Sequence, residues 1–349
     1  MLSTTLVRFS NLGLYSAMAV FTVAMLMFAF HLAALGPVNA ERSGGARARR
    51  SRELVGAGGA SRAAGRPGPT SVTASVAGDA GGAEGADSPV ADGPEAASPR
   101  ARKLAGIALS LSWLGTFLLV ASVVMRGLAV MRPPWGNMFE FATAGCAAAA
   151  LAYCALARRN RWEWLGIFVI GPILLTLGLA LFAFYTEAAE LMPALKSVWL
   201  IIHVIVAILA VAVFTIGFSV GIVYLVKRRR EEHPPTKRNF VETLPSAASL
   251  ERTAYGLNMV GFILWTFTLV AGAIWAQKAW SAYWTWDPKE VWTFVIWVVY
   301  AAYMHARATA GWEPRRAMVI ALVGYVCVLL NFTVVNLLFT GLHSYSGLK

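Results

Sequence analysis

Long apolar runs separated by short polar stretches dominate this chain, and they carry the helical rather than the alternating period. Windows of about 20 residues without Asp, Glu, Lys or Arg recur along it, the signal for transmembrane helices. Eight spans are predicted, at roughly 11–36, 104–131, 138–157, 163–186, 197–226, 253–277, 290–309 and 317–341. The fold class expected is all-α: a polytopic transmembrane helical bundle. The pattern also divides the chain. Residues 1–39 form an N-terminal transmembrane helix, 40–103 a polar stretch, and 104–349 the main transmembrane domain.

The stretch 40–103 differs in kind from its flanks. It is rich in Gly, Ala, Ser, Pro and Arg and nearly free of large apolar residues, as in "GDAGGAEGADSPVADGPEAASPR". Such a segment buries too little apolar surface to offset its ordering entropy, so a disordered cytoplasmic linker is expected. The tripeptide "VNA" before Glu41 is like a signal-peptide cleavage site. The apolar run before it is longer than a signal sequence uses, and arginines crowd behind it, so the first span is read as retained.

Composition agrees with the spans. Of 349 residues 58% are hydrophobic and 14% charged, well below the quarter or so of charged residues in soluble domains. The net charge of +12 does not indicate a nucleic-acid partner, because the basic residues gather at the ends of apolar runs, where membrane orientation explains them. Counting spans, the arginines of the linker, "RRNR" (158–161), "KRRREEHPPTKR" (227–238) and "HARATAGWEPRR" (305–316) all fall on one side, which the positive-inside rule makes cytoplasmic. The other side receives "RPPWGNMFEF" (132–141), "TEAAELMPALK" (186–196), "WSAYWTWDPKE" (280–290) and the C-terminal "GLHSYSGLK". Cys146, Cys154 and Cys327 lie inside apolar segments with no C-x-x-C or C-x-x-C-H spacing. This excludes a thioredoxin-like reductant and a c-type cytochrome.

Depth sorts the five histidines. His233 lies in a basic loop and is read as solvated. At 1.5 Å per residue, His203 sits about 8 Å inside its span from the outer surface, four residues after Trp199 and on its face. His343 emerges just past the last span on the same side. His305 lies about 20 Å further in than the outer ones, and His31 has a depth similar to that of His305. A single intramembrane histidine is ordinarily an interhelical hydrogen-bonding group, and tryptophans ordinarily form interfacial belts. Two histidines at matched depth beside Trp280, Trp284, Trp286 and Asp287 form a different pattern. Paired imidazoles hold a haem iron from its two faces, and indoles offer flat surfaces to a porphyrin. Glu140, at the mouth of the third span, is either a functional carboxylate or a helix-dipole partner.

"WSAYWTWDPKE" resembles the tryptophan-rich WWD signature of the cytochrome c assembly superfamily. Together with "WGNMFEF", His203, His305 and "GLHSYSG", the chain from about residue 104 onward is similar to the CcsA (ResC) family of System II cytochrome c biogenesis. The resemblance implies a protein that binds haem b, exports it from the cytoplasmic side and presents it externally for covalent attachment to apocytochrome c. It implies His203 and His343 as external ligands of the haem iron, and His305 as a membrane ligand where haem is first received. It implies Trp280, Trp284, Trp286 and Asp287 as the loop that cradles the haem. A CcsB/ResB-like membrane partner is implied too, with the chain part of a holocytochrome c synthase complex in the plasma membrane. Two alternatives stand for the ligand opposite His305: His31, or a residue of the partner. The chain departs from the signature at Ser281, where the family commonly has Gly. Other classes left open are a b-type haem electron carrier, a haem transporter and a System I haem handler.

Overall fold

A computed structural model of the chain describes residues 2–60, 98–187, 197–234, 240–309 and 311–343, with side chains of the first helix described up to residue 35. Nine α-helices follow in order: α1 (Leu2–Ala60), α2 (Pro99–Ala129), α3 (Met138–Asn160), α4 (Gly166–Ala183), α5 (Val198–Glu232), α6 (Ala247–Trp280), α7 (Pro288–Ala308), α8 (Pro314–Phe332) and α9 (Val334–Leu338). The described residues contain no strand, so the expected all-α bundle stands. The backbone of α1 stays helical past residue 39, into the stretch expected to be a linker, where "ERSGGARARRSREL" supplies Ala, Arg, Glu and Leu, all good helix formers. The remainder of that stretch, 61–97, lies outside the described residues, as do most of "TEAAELMPALK" and residues 344–349.

Among the described residues seven helical segments are long and apolar enough to cross a membrane: Ser3–Leu35, Pro99–Ala129, Met138–Asn160, Glu163–Ala183, Val198–Glu232, Ala247–Trp280 and Pro314–Leu338. Helix α7, the remaining expected span, carries Lys289 and Glu290 in its first turn and His305 and Arg307 in its last. Its 21 residues reach roughly 30 Å, the thickness of a bilayer core, and it runs from one end of the bundle to the other beside α6 and α8. Large apolar side chains such as Phe117, Leu175, Phe182 and Ile263 point outward, as a lipid-facing surface requires.

Without a hydrophobic drive between helices in lipid, close approach through small residues and specific polar contacts holds them together. Helices α1 and α2 are joined by a reciprocal serine pair, Ser10 Oγ donating to the Ser122 carbonyl (2.8 Å) and Ser122 Oγ to that of Ser10 (2.7 Å). At Gly115 a Cβ would come within 2.8 Å of the Phe21 ring. Helices α5, α6 and α7 meet around Phe214, which stacks on Tyr300 at 3.9 Å and fills the space beside Gly261.

Ion pairs close one end of the bundle. Arg228 at the end of α5 reaches Glu313 before α8 (2.8 Å), Arg307 at the end of α7 pairs with Glu251 near the start of α6, and Lys227 donates to the carbonyls of Val241 and Glu242. The basic stretches at 227–230 and 305–316, expected on one side, do share one end. The aromatic loop 281–287 lies at the other.

Near that second end sits a buried charge cluster. Glu140, fully buried, accepts from Arg126 Nε (3.1 Å), from Arg132 Nη1 (2.7 Å) and from the backbone N–H of Gly136 (2.8 Å). Its own N–H donates to Asn137, the N-cap of α3 (2.9 Å). Glu140 therefore pins the 132–137 loop that carries Trp135, which is the structural role of this carboxylate. Removing one partner of a buried ion pair costs about 3–5 kcal/mol. Glu140→Gln is therefore expected to lower the melting temperature of the detergent-solubilised protein by roughly 10 °C. An unchanged melting curve would contradict this role.

Candidate functional site

At the loop end, α3, α5, α6, α7 and α8 enclose a cavity of about 230 Å³. Three of these helices, α3, α5 and α7, begin at this end with a side-chain cap that fixes where their first residues stand. Ser197 caps α5 by accepting from the N–H of Trp199. Asp287 caps α7 in a capping box, with the Glu290 side chain returning to the Asp287 N–H at 3.2 Å. The other bonds to Glu290 Oε2 come from the N–H (2.8 Å) and hydroxyl (3.2 Å) of Thr285, so this one buried carboxylate shapes the whole turn of the loop. Ser281 ends α6 with φ +59°, a conformation that glycine adopts without steric cost. That is the physical reason a glycine suits this place in the signature.

His203, on the second turn of α5, and His343, just after α9, both line the cavity. Nδ1 of His203 lies 2.9 Å from the carbonyl oxygen of Thr268 on α6. A carbonyl only accepts, so Nδ1 carries the proton and Nε2 is left with a free lone pair. For His343 the partner is a carboxylate: its Nδ1 lies 2.8 Å from Asp287 Oδ2. In its neutral form His343 therefore donates from Nδ1 and leaves Nε2 as an acceptor. Outer hydrogen bonds of this kind set the tautomer and ring direction of metal-ligating histidines. Asp287, buried, also accepts from the N–H of Leu342 at 2.6 Å and of Lys289 at 3.2 Å. Burial pushes the Asp287 carboxyl up, but the bond and charge of His343 with the N–H groups of Leu342 and Lys289 outweigh it, holding it below the usual carboxylate value. The group is therefore ionised throughout the neutral range.

Trp275 touches both imidazoles. It stacks on His203 (6.1 Å, 18°) and meets His343 edge-on (5.6 Å, 68°). Trp280 packs on both Trp275 (4.7 Å) and His343 (4.9 Å), so it supports the ring of His343 from behind. Trp135, Phe141, Trp265, Trp284 and Phe332 complete the aromatic wall. Two glycines are required by close approach. A Cβ at Gly272 would come within 2.9 Å of the His203 ring, and one at Gly341 would collide with Asp287 Oδ1.

The residues singled out from the sequence thus divide. His203, His343 and Trp284 line the cavity, and Trp280 and Asp287 hold His343 in place. Trp286, largely exposed with φ +61°, stands outside the wall and touches it only through an edge contact to Trp284 at 5.8 Å. His305 is exposed on α7. His31 is buried, its Nδ1 lying 2.9 Å from the Ala101 carbonyl on α2. No group of three or more His, Cys, Asp or Glu with metal-holding geometry occurs among the described residues. The set fits a metalloporphyrin: two imidazoles with free Nε2 atoms, flat aromatic walls and no competing thiol. Sequence reasoning missed Trp275, Trp265, Thr268, Gly272, Lys289 and Glu290. A signal was present for two of them, since Trp265 and Trp275 lie on the same apolar run as the loop tryptophans.

Comparison with known proteins agrees with this geometry. A family model described as "Cytochrome C assembly protein" matches residues 135–343, from the Trp135 of the cavity wall to His343. A protein of Chlamydomonas reinhardtii named "Cytochrome c biogenesis protein CcsA" is 34% identical over 239 residues, covering 66% of this chain and 66% of the relative. Relatives of the same name from a Prochlorococcus marinus strain and a Synechococcus strain are 36% and 32% identical. They cover 65% and 72% of this chain, and 80% and 88% of their own lengths. With its cavity, histidine pair and tryptophan-rich loop inside the matched region, the chain belongs to the cytochrome c assembly protein family, among the relatives named CcsA.

Proposed function

We propose that this chain works in cytochrome c maturation as the haem-handling subunit, holding haem b as its substrate in the cavity between His203 and His343. The observation that carries the reading is the matched preparation of the two imidazoles. Each has Nδ1 committed to an acceptor and Nε2 left for a metal, across a cavity walled by indole and phenyl rings. The names of the relatives support the pathway.

The chain's own contribution is positional. His203 is fixed through Thr268 and His343 through Asp287, so both ligands are oriented before the substrate enters. His343 follows the short helix α9 and is half-buried, so this ligand sits at an edge of the bundle, which suits a substrate that must leave. A permanently bound electron-carrier haem would instead be expected between histidines on two long spans. The attachment itself is addition of an apocytochrome thiol across a vinyl group: a C–S bond forms, the thiol hydrogen goes to the neighbouring carbon, and no redox change is needed.

The basic end of the bundle supports one sidedness: by the positive-inside rule Arg228, Arg307 and their neighbours face the cytoplasm and the cavity faces outward, in the plasma membrane of this reading. His305, exposed near the basic end, is then the point where haem is received, its second ligand supplied by a CcsB/ResB-like partner. Disrupting this chain in its host should abolish covalent haem in every c-type cytochrome and spare b-type haem. Normal c-type cytochromes after disruption would overturn the proposal.

A further inference from the structure

On the wall of the cavity, Lys289 is the one lysine or arginine among the described residues. It occupies the first turn of α7, half-buried, and its ammonium makes no hydrogen bond or ion pair among the described residues. The neighbouring carboxylates are already engaged. Asp287 is bound to His343, Leu342 and the backbone of Lys289 itself, and Glu290 Oε2 to Thr285 and Asp287. Lys289 and His203 line the same cavity. The charge of Asp287 acts on Lys289, but no carboxylate bonds its ammonium among the described residues, so a ligand carboxylate would supply the missing partner. Glu290 is the complementary feature. Its second oxygen is buried on the same wall without a partner among the described residues, so of these two neighbours only Lys289 attracts a ligand carboxylate.

Resting on the haem reading above, we propose that Lys289 is the carboxylate-recognising residue of the cavity. It binds a propionate and so fixes which edge of the porphyrin faces α7, leaving the vinyl edge turned away for attachment. Lysine meets a carboxylate as a point charge, so Lys289→Arg should keep the function and Lys289→Met should lose it.

The test titrates purified wild-type, Lys289→Met and Lys289→Arg proteins with haem and with haem dimethyl ester, whose propionates are neutral. Affinity and the low-spin visible spectrum are both read. Wild type and Lys289→Arg should bind haem about tenfold more tightly than the diester. Lys289→Met should bind the two alike, with the bis-imidazole spectrum retained. Undiminished preference for the free acid in Lys289→Met overturns the role of Lys289 alone. Absence of a low-spin spectrum in wild type overturns the haem reading, and this inference with it.

Discussion

Asp287→Ala is expected to lower haem affinity 10- to 100-fold, the range found when an outer-shell partner of a metal ligand is removed. Three structures depend on this one carboxylate. It caps α7, a contribution of about 0.5–2 kcal/mol. It satisfies the N–H of Leu342 and the Nδ1 proton of His343, and each buried donor left without a partner costs about 1–3 kcal/mol. Asp287→Asn keeps one acceptor oxygen where two are used, so it should fall between wild type and alanine. Gly341→Ala offers an independent route to the same result. It removes no polar atom, yet its Cβ would drive into Asp287 Oδ1 and should displace His343. The folded Asp287 carboxyl titrates below its usual value of 3.8, so its tie to His343 is complete at neutral pH and is lost only as pH falls through that lowered value. Haem affinity should therefore show no Asp287-linked change between pH 5 and 8. Affinity measured by spectral titration across these variants checks each step, and wild-type affinity in both Asp287→Ala and Gly341→Ala would refute the role.

Much of this was legible in the chain itself, because bilayer thickness turns an apolar run directly into a helix. The basic stretches marked one end of the bundle, and "WSAYWTWDPKE" with His203 and His343 marked the other. What the sequence does not display is which residues the helices bring together. Thr268 lies 65 positions from His203 and Asp287 lies 56 from His343. Neither pairing has a local signature, so Asp287 read only as part of a cradle. Trp275 touches both imidazoles, yet in the sequence it is one residue of an apolar run. Trp286 looked like part of the cradle, although the positive φ before the Asp287 cap turns it outward. Gly272 shows its purpose only once the His203 ring is seen against it. Helix α7 was less apolar than its neighbours because it must carry Lys289 and Glu290 into the cavity and Arg307 to Glu251.

The histidine pair carries the largest expected effect. Asp287 acts on the iron site through His343, whereas His203 and His343 are the atoms proposed to bind, so their loss should exceed the 10- to 100-fold range of an outer-shell change. Replacement by glycine leaves a hole of imidazole shape and keeps the surrounding helices. Removal of His203 also leaves the Thr268 carbonyl able to receive a small donor in the same place.

The most direct measurement is the visible and paramagnetic resonance spectrum of the haem-loaded protein in wild type, His203→Gly and His343→Gly, with and without added imidazole. Wild type should show a six-coordinate low-spin iron, each variant should lose it, and millimolar imidazole should restore it. A low-spin spectrum and full haem content persisting in both variants without imidazole would contradict the assignment of this cavity.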